Sequence, residues 1–203
     1  MFNVVTIARE YGSGGSDIGR KVAELLGWEC VDKKIIERVA TMGKVDPSWA
    51  ETADERTGTW WERVMKGFLH GGPESYIGKL ADSAVDHDTL QQFTASVIQE
   101  AAKVGNCVII GRSSQCVLRH DPRVLRVLVY APVAEKIKRM KLRHPHENDL
   151  QALLHRMDSE RFHYAQSYYG CDSSARGLYH LCVNSTLGID ACAKLLVQTI
   201  RSS

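Results

Sequence analysis

The sequence predicts an α/β protein with a parallel sheet covered by helices on both faces, and three observations carry the prediction. Short apolar runs, such as residues 4–8 and Cys107–Ile110, alternate with segments of helical period, and strands separated by helices close a parallel sheet. There is no internal repeat or low-complexity tract, so this alternation is the whole organisation of the chain. At 203 residues and 44% hydrophobic content the chain is long enough for one sizeable core, and a single domain over 1–203 is expected.

Residues 3–8 read as a buried first strand. After a glycine-rich turn, Ile18, Val22, Leu25 and Leu26 recur at i, i+4, i+7 and i+8, the face of a helix that Gly27 stops. Glu29–Val31 is a short second strand ending at Asp32. Leu90, Phe93, Val97 and Ala101 mark a helix closed by Gly105; Cys107–Ile110 follows as a third strand closed by Gly111, and Val124–Tyr130 as a fourth. Leu150, Leu153, Leu154 and Met157 share a helix face, residues 179–183 form a fifth strand, and Ile189, Cys192, Ala193, Leu196, Val197 and Ile200 keep helical spacing to the end.

Two segments break the rhythm. Residues 41–88 carry Trp49, Trp60, Trp61 and the Gly71-Gly72-Pro73 punctuation, and read as a largely helical insertion whose tryptophans also suit a core. The stretch 139–149 is a second insertion, entered through Lys136, Lys138, Arg139, Lys141 and Arg143; the alternative is a solvated basic helix face.

A formal charge of +2 is too small for the global basic footprint of a nucleic-acid binder, so a polyanion partner has to be local. Apolar runs of a few residues fall far short of the roughly 20 that span a bilayer. No signal-peptide pattern is seen at the start, and a cytoplasmic location is expected. The six cysteines form no C-x-x-C pair, which argues against a zinc or disulfide framework, and His144-Pro145-His146 reads as a solvated loop rather than a metal site.

The strongest local signal is Arg9-Glu10-Tyr11-Gly12-Ser13-Gly14-Gly15-Ser16 between the first strand and the first helix. There, glycines let consecutive backbone N–H groups curl around an anion, and the helix start adds its positive dipole end. Phosphate binding by Gly12, Ser13, Gly14, Gly15 and Ser16 follows. Against G-x-x-x-x-G-K-[ST], Gly14 and Ser16 are in register, whereas Arg9 replaces the first glycine and Gly15 the lysine. A dinucleotide fingerprint fits worse, since its third glycine falls on Asp17. The lost lysine normally offsets charge on the transferring phosphates. Arg9, in the loop itself, is the first candidate to replace it, and Lys21 a weaker one. Ser16 offers the hydroxyl expected on Mg2+, a role compatible with helix N-capping.

These residues, with Asp32-Lys33, Gly111-Arg112, Asp158-x-x-Arg161, Tyr168-Tyr169-Gly170 with Asp172, and Tyr179-His180-Leu181 leading to Asn184-Ser185, resemble the cytidylate kinase-like family in order and spacing over essentially the whole chain. The resemblance implies a three-layer α/β/α P-loop kinase fold with a five-stranded parallel sheet, a helical acceptor-side insertion at about 41–88 and a lid at about 139–149. It implies ATP with Mg2+ as donor, Ser16 and Asp32 near the metal, and lid arginines Arg139 and Arg143 acting with Arg9, Ser16 and Arg112 in catalysis. Asp32, Arg38, Arg112, Asp158 and Arg161 would hold a small phosphorylated acceptor such as CMP or dCMP. The third-strand segment reads Ile110-Gly111-Arg112-Ser113, without the two carboxylates that flank the arginine in true cytidylate kinases. Two alternatives therefore stand: a kinase for another small acceptor, and a nucleotide-binding regulator that has lost catalysis.

Overall fold

A computed structural model describes residues 1–32, 59–61, 63, 64 and 87–203. In chain order these form β1 (Val4–Arg9), α1 (Gly15–Leu26), β2 (Glu29–Val31), α2 (His87–Val104), β3 (Cys107–Ile110), α3 (Ser114–Val117), β4 (Val124–Tyr130), α4 (Val133–Arg143), α5 (Leu150–Tyr169), β5 (Leu181–Asn184) and α6 (Ile189–Arg201). The five strands are all parallel in the order β2-β3-β1-β4-β5. Val4 to Ile7 register with Cys107 to Ile110 on one side, and Val4 to Arg9 with Val124 to Val129 on the other, so β1 is the central strand.

Alternation along β1 explains the three layers. Val5 and Ile7 face α1 and α6, packing with Ile18, Val22, Leu196 and Val197, while Val4 faces α2 and meets Phe93, Val97 and Ala101. Both faces are dry, which is why β1 and β3 read as continuous apolar runs rather than as alternation. The chain leaves β1 towards β2 and leaves β4 towards β5, so neighbouring strands send their connections in opposite directions. A crevice for ligands opens at the carboxyl ends of such a pair. No helix among the described residues is long and apolar enough to cross a membrane.

Most of the expected insertion at 41–88, with Trp49, lies outside the described residues, as do Lys33 and Arg38. Trp60 and Trp61 stack edge to face and pack on the α2 side of the core, where the Trp60 indole N–H donates to Gly105 O at 2.8 Å. These two tryptophans build core.

The structure corrects four sequence expectations. The first strand is shifted by one residue, to Val4–Arg9, which brings Arg9 into the ladder opposite Val129. The fifth strand starts at Leu181 rather than Tyr179, because Tyr179 and His180 are spent on fastening the incoming turn. The Tyr179 phenol donates to Ser173 O at 2.7 Å, and the His180 N–H to Arg126 O at 2.8 Å. The short helix α3 was not expected, having too few residues for a periodic signal. Finally, Cys116 in α3 and Cys171 just past α5 form a disulfide with Cα atoms 5.9 Å apart. Fifty-five residues separate them in sequence, so no local spacing announces the pair.

Candidate functional site

The glycine-rich segment turns from the end of β1 into α1 at the sheet's crevice. Gly12 and Gly14 both take φ of +78°, a left-handed conformation that glycine adopts at little cost. The Ser13 N–H and hydroxyl both return to Glu10 O, at 3.2 and 2.8 Å, which folds the turn on itself. Among the described residues no protein acceptor takes the N–H of Gly12, Gly14 or Ser16. Those donors, at the start of a 12-residue helix, suit an anion.

Arg9 closes the inner side of this turn, its Nε donating to Ser16 Oγ at 3.3 Å. Its packing accounts for the altered motif. A Cβ placed on Gly15 would lie 2.6 Å from Arg9 Cβ and 3.1 Å from Val129 Cβ, so a side chain at 15 is incompatible with any side chain at 9, arginine included. A Cβ on Gly111 would lie within 1.7 Å of Arg9 Nη1, so the guanidinium is laid across the bare backbone that follows β3. Burial, followed by the charges of Arg161 and Arg112, lowers the Arg9 pKa to about 10, and Asp32 partly opposes this.

Arg112 sits in the β3–α3 turn, where Gly111, Arg112 and Ser113 have φ of +76°, +54° and +52°. Two successive non-glycine residues in the left-handed region are costly, by about 1–2 kcal/mol each. The turn aims Arg112 into a cavity of about 630 Å³ that also receives Arg9, Asp158, Glu160, Arg161 and Arg176. Phe162, Tyr164, Tyr130 and Tyr179 supply much of its remaining wall; burial raises the Tyr164 pKa, and that of Tyr179 to about 12, so both phenols remain donors. Arg112, Asp158 and Arg161, scattered in the sequence, thus converge on one space beside the loop.

Asp158 and Arg161 also hold the loop itself, which spacing did not reveal. The Asp158 carboxylate accepts the Tyr11 N–H at 2.6 Å, and Arg161 Nη1 donates to Arg9 O at 2.9 Å while its guanidinium lies over the Tyr11 ring. One turn of α5 therefore grips the loop backbone at two points. Burial raises the Asp158 pKa, opposed by the Tyr11 N–H, Lys136 and Arg161; burial likewise lowers that of Arg161, opposed first by Asp158.

Within the basic run Lys136 and Arg139 turn towards the loop, whereas Lys138, Lys141 and Arg143 are exposed. Through Arg143 the run forms α4, which lies against the loop, and only residues 144–149 connect it to α5. Arg139 Nη1 donates to Ser13 O at 2.7 Å and Ser185 Oγ at 2.8 Å, fastening the loop to the turn after β5. Arg143 pairs with Asp17 at 3.0 Å in an exposed contact, and the Tyr11 hydroxyl bonds His144 at 2.9 Å. Neither arginine lines the cavity. Sequence reasoning missed Glu10, Tyr11, Lys136 and Ser185 as parts of this assembly. The available signal was Lys136 itself, on the same helical face as Met140, where both are buried.

Asp32, past the end of β2, lies 3.6 Å from Arg20, and Lys21 forms an exposed pair with Glu24. Lys21 is thus turned to solvent and spoken for.

The description of the cytidylate kinase-like family matches residues 4–187. A search among curated proteins finds no match. Among solved structures, an uncharacterized protein from Eubacterium ventriosum ATCC 27560 is similar at 17% identity, with a TM-score of 0.71 over 98% of this chain and 99% of that one. A shikimate kinase from Acinetobacter baumannii, in complex with shikimate, has 17% identity and a TM-score of 0.53 over 100% and 94% of the two chains. Another from Bacteroides thetaiotaomicron has 11% identity and a TM-score of 0.53 over 98% of each. At these identities the likeness is one of fold.

Proposed function

This chain belongs to the cytidylate kinase-like family and is a phosphotransferase of the P-loop kinase class; from that premise we propose that it moves the γ-phosphoryl group of ATP, with Mg2+, to a small phosphate-bearing acceptor. A nucleoside monophosphate such as CMP or dCMP is the first acceptor to test. The observation that carries the reading is the half-buried Arg9 between the glycine loop and a cavity shared with Arg112 and Arg161. Desolvation and the neighbouring charges of Arg161 and Arg112 depress the protonation of Arg9, a cost that a bound phosphate removes.

In this reading the N–H groups of Gly12, Gly14 and Ser16 cradle the donor phosphates. Arg9 supplies the charge that the loop lysine supplies elsewhere, and Gly15 is glycine because Arg9 fills its space. Phosphoryl transfer asks for positioning and charge stabilisation rather than covalent help, which such a cluster provides. Arg112 and Arg161 hold the acceptor phosphate, and Asp158 and Glu160 accept hydrogen bonds from its hydroxyl or base edge. The Ser16 hydroxyl and the Asp32 carboxylate are hard oxygen donors and fit Mg2+, which is usually held by one or two protein oxygens plus substrate phosphates. The described residues hold no cluster of three or more His, Cys, Asp or Glu ligands, and this mode of binding needs none. When bound, the ion offsets charge on the β and γ phosphates. Arg143, exposed and, among the described residues, paired with Asp17, is the arginine of the 139–149 stretch best placed to turn towards a nucleotide.

A second acceptor class is favoured by one specific observation. With Ile110 and Ser113 flanking the Gly111-Arg112 turn, Asp158 already engaged on Tyr11 and Lys136, and Glu10 on Lys136, Glu160 is the carboxylate lining the cavity, among the described residues, that is left to read a cytosine amino group. Phosphoryl-transfer assays with ATP and Mg2+ over nucleoside monophosphates and small phosphorylated alcohols decide the matter. Turnover of CMP or dCMP supports the first reading, and turnover of another acceptor alone supports the second. Saturable ATP binding with no transfer to any acceptor means a regulator and overturns both.

A further inference from the structure

Lys136 is a charged side chain in a place where charge is costly. Its side chain is only 9% exposed, on the face of α4 that includes Met140. The ammonium lies 3.0 Å from Glu10 Oε2 and 3.6 Å from Asp158 Oδ2. Each of these carboxylates also holds backbone: Asp158 accepts the Tyr11 N–H at 2.6 Å, and Glu10 accepts the Ala131 N–H at 3.4 Å. The stem contributes as well, since a Cβ on Gly12 would come within 3.2 Å of Lys136 Cβ. Lys136 therefore touches the loop through its stem and, through its ammonium, the two carboxylates that set the loop's path.

We propose that Lys136 is a positioning residue for the phosphate loop, locking Glu10 and Asp158 so that the donors of residues 12–16 stay aimed at one point. It acts through those carboxylates and has no contact with substrate. The proposal rests on the donor-loop reading above, but its primary test does not need turnover. Lys136→Met keeps the stem and removes the charge. Hydrogen exchange of the amides of residues 11–15 in the ligand-free full chain should then quicken by about 10-fold or more, and ATP affinity should fall by about 10-fold with the acceptor KM unchanged. Lys136→Arg should return both to near the starting values.

A pH readout separates positioning from bulk stability. Asp158 is faced by Lys136 from α4, by Arg161 from its own helix, and by Glu10 and the Tyr11 N–H from the loop. Burial already raises its pKa, and losing the ammonium removes one of the groups that hold it down, so the carboxylate protonates at higher pH. The acid limb of ATP affinity should move upwards in pH in Lys136→Met and not in Lys136→Arg. Should Lys136→Met fail to fold, Glu10→Gln weakens the same contact from its more exposed side and should likewise quicken loop exchange and weaken ATP binding, while its acid limb moves downwards, because the lost anion is one that raises the Asp158 pKa. Unchanged loop exchange, or lower thermal stability with unaltered loop exchange and an unmoved acid limb, overturns the proposal. Wild-type protein that fails to bind ATP overturns the donor-loop reading instead, and leaves the exchange result to judge Lys136.

Discussion

At the scale of single residues, Arg9 and Gly15 form a reciprocal exchange. Arginine at 9 excludes a side chain at 15, so Gly15→Lys alone should clash with Arg9 Cβ and lose both stability and nucleotide binding. Arg9→Gly together with Gly15→Lys restores the usual loop pattern, and should recover ATP binding to within about 10-fold of wild type. Calorimetric titration of the two variants checks this, and a double variant no better than the single one would break the link. Gly111→Ala tests the other side of Arg9, since its Cβ would overlap the guanidinium. Displacement of Arg9 should cost about 100-fold in transfer, measured against circular dichroism as a control for folding. The lowered Arg9 pKa, about 10, fixes the sign of a pH effect. A cation whose folded pKa lies below its unfolded value destabilises the fold while charged, and that cost is relieved as pH rises through about 10. Inorganic pyrophosphate should therefore raise Tm at neutral pH, and the gain should shrink as pH approaches 10 and be largely absent in Arg9→Ala.

At the scale of elements, α4, α5 and the turn after β5 all hold the loop, through Lys136, Arg139, Arg143, Asp158, Arg161 and Ser185. Three of the four apolar positions expected of α1, Ile18, Val22 and Leu26, and the spacing of α6 were readable because packing against a dry sheet leaves a periodic trace, whereas Leu25 is exposed. The grip of α5 on the loop was not, because Asp158 and Arg161 form hydrogen bonds across about 150 residues of sequence to main-chain atoms, which carry no side-chain identity. The same limit hid the disulfide, whose partners belong to α3 and the end of α5. Their bond closes a loop of 55 residues and constrains the unfolded chain by about 2–4 kcal/mol. Cys116→Ser with Cys171→Ser should thus lower Tm by roughly 5–15 °C, a difference that a reductant abolishes. Equal Tm for the two proteins under oxidising conditions would remove the cross-link from the account.

At the scale of the whole molecule, the five-stranded parallel sheet, the three layers and the location of the loop were legible, since β1, β3 and β4 carry largely apolar runs and the glycine segment sits directly after the first, whereas the order β2-β3-β1-β4-β5 comes from the structure. The convergence of Arg112, Asp158 and Arg161 came from family resemblance rather than spacing, and the fold explains it: β3 and α5 bring them to one cavity at the crevice beside β1. Sequence reasoning gave them a proposed acceptor duty alone, whereas in the structure Asp158 and Arg161 bond to the backbone of the glycine loop. Substitution of either should therefore disturb donor and acceptor together, while Arg112→Ala should weaken the acceptor selectively.

We propose a phosphotransferase whose loop cation is Arg9. The most direct test is the rate of phosphoryl transfer from ATP and Mg2+, to whichever acceptor the screen identifies, by wild type, Arg9→Ala and Lys21→Ala. Transfer lowered about 100-fold or more in Arg9→Ala, with Lys21→Ala close to wild type, is the predicted result. Equal and small effects of the two substitutions would contradict it.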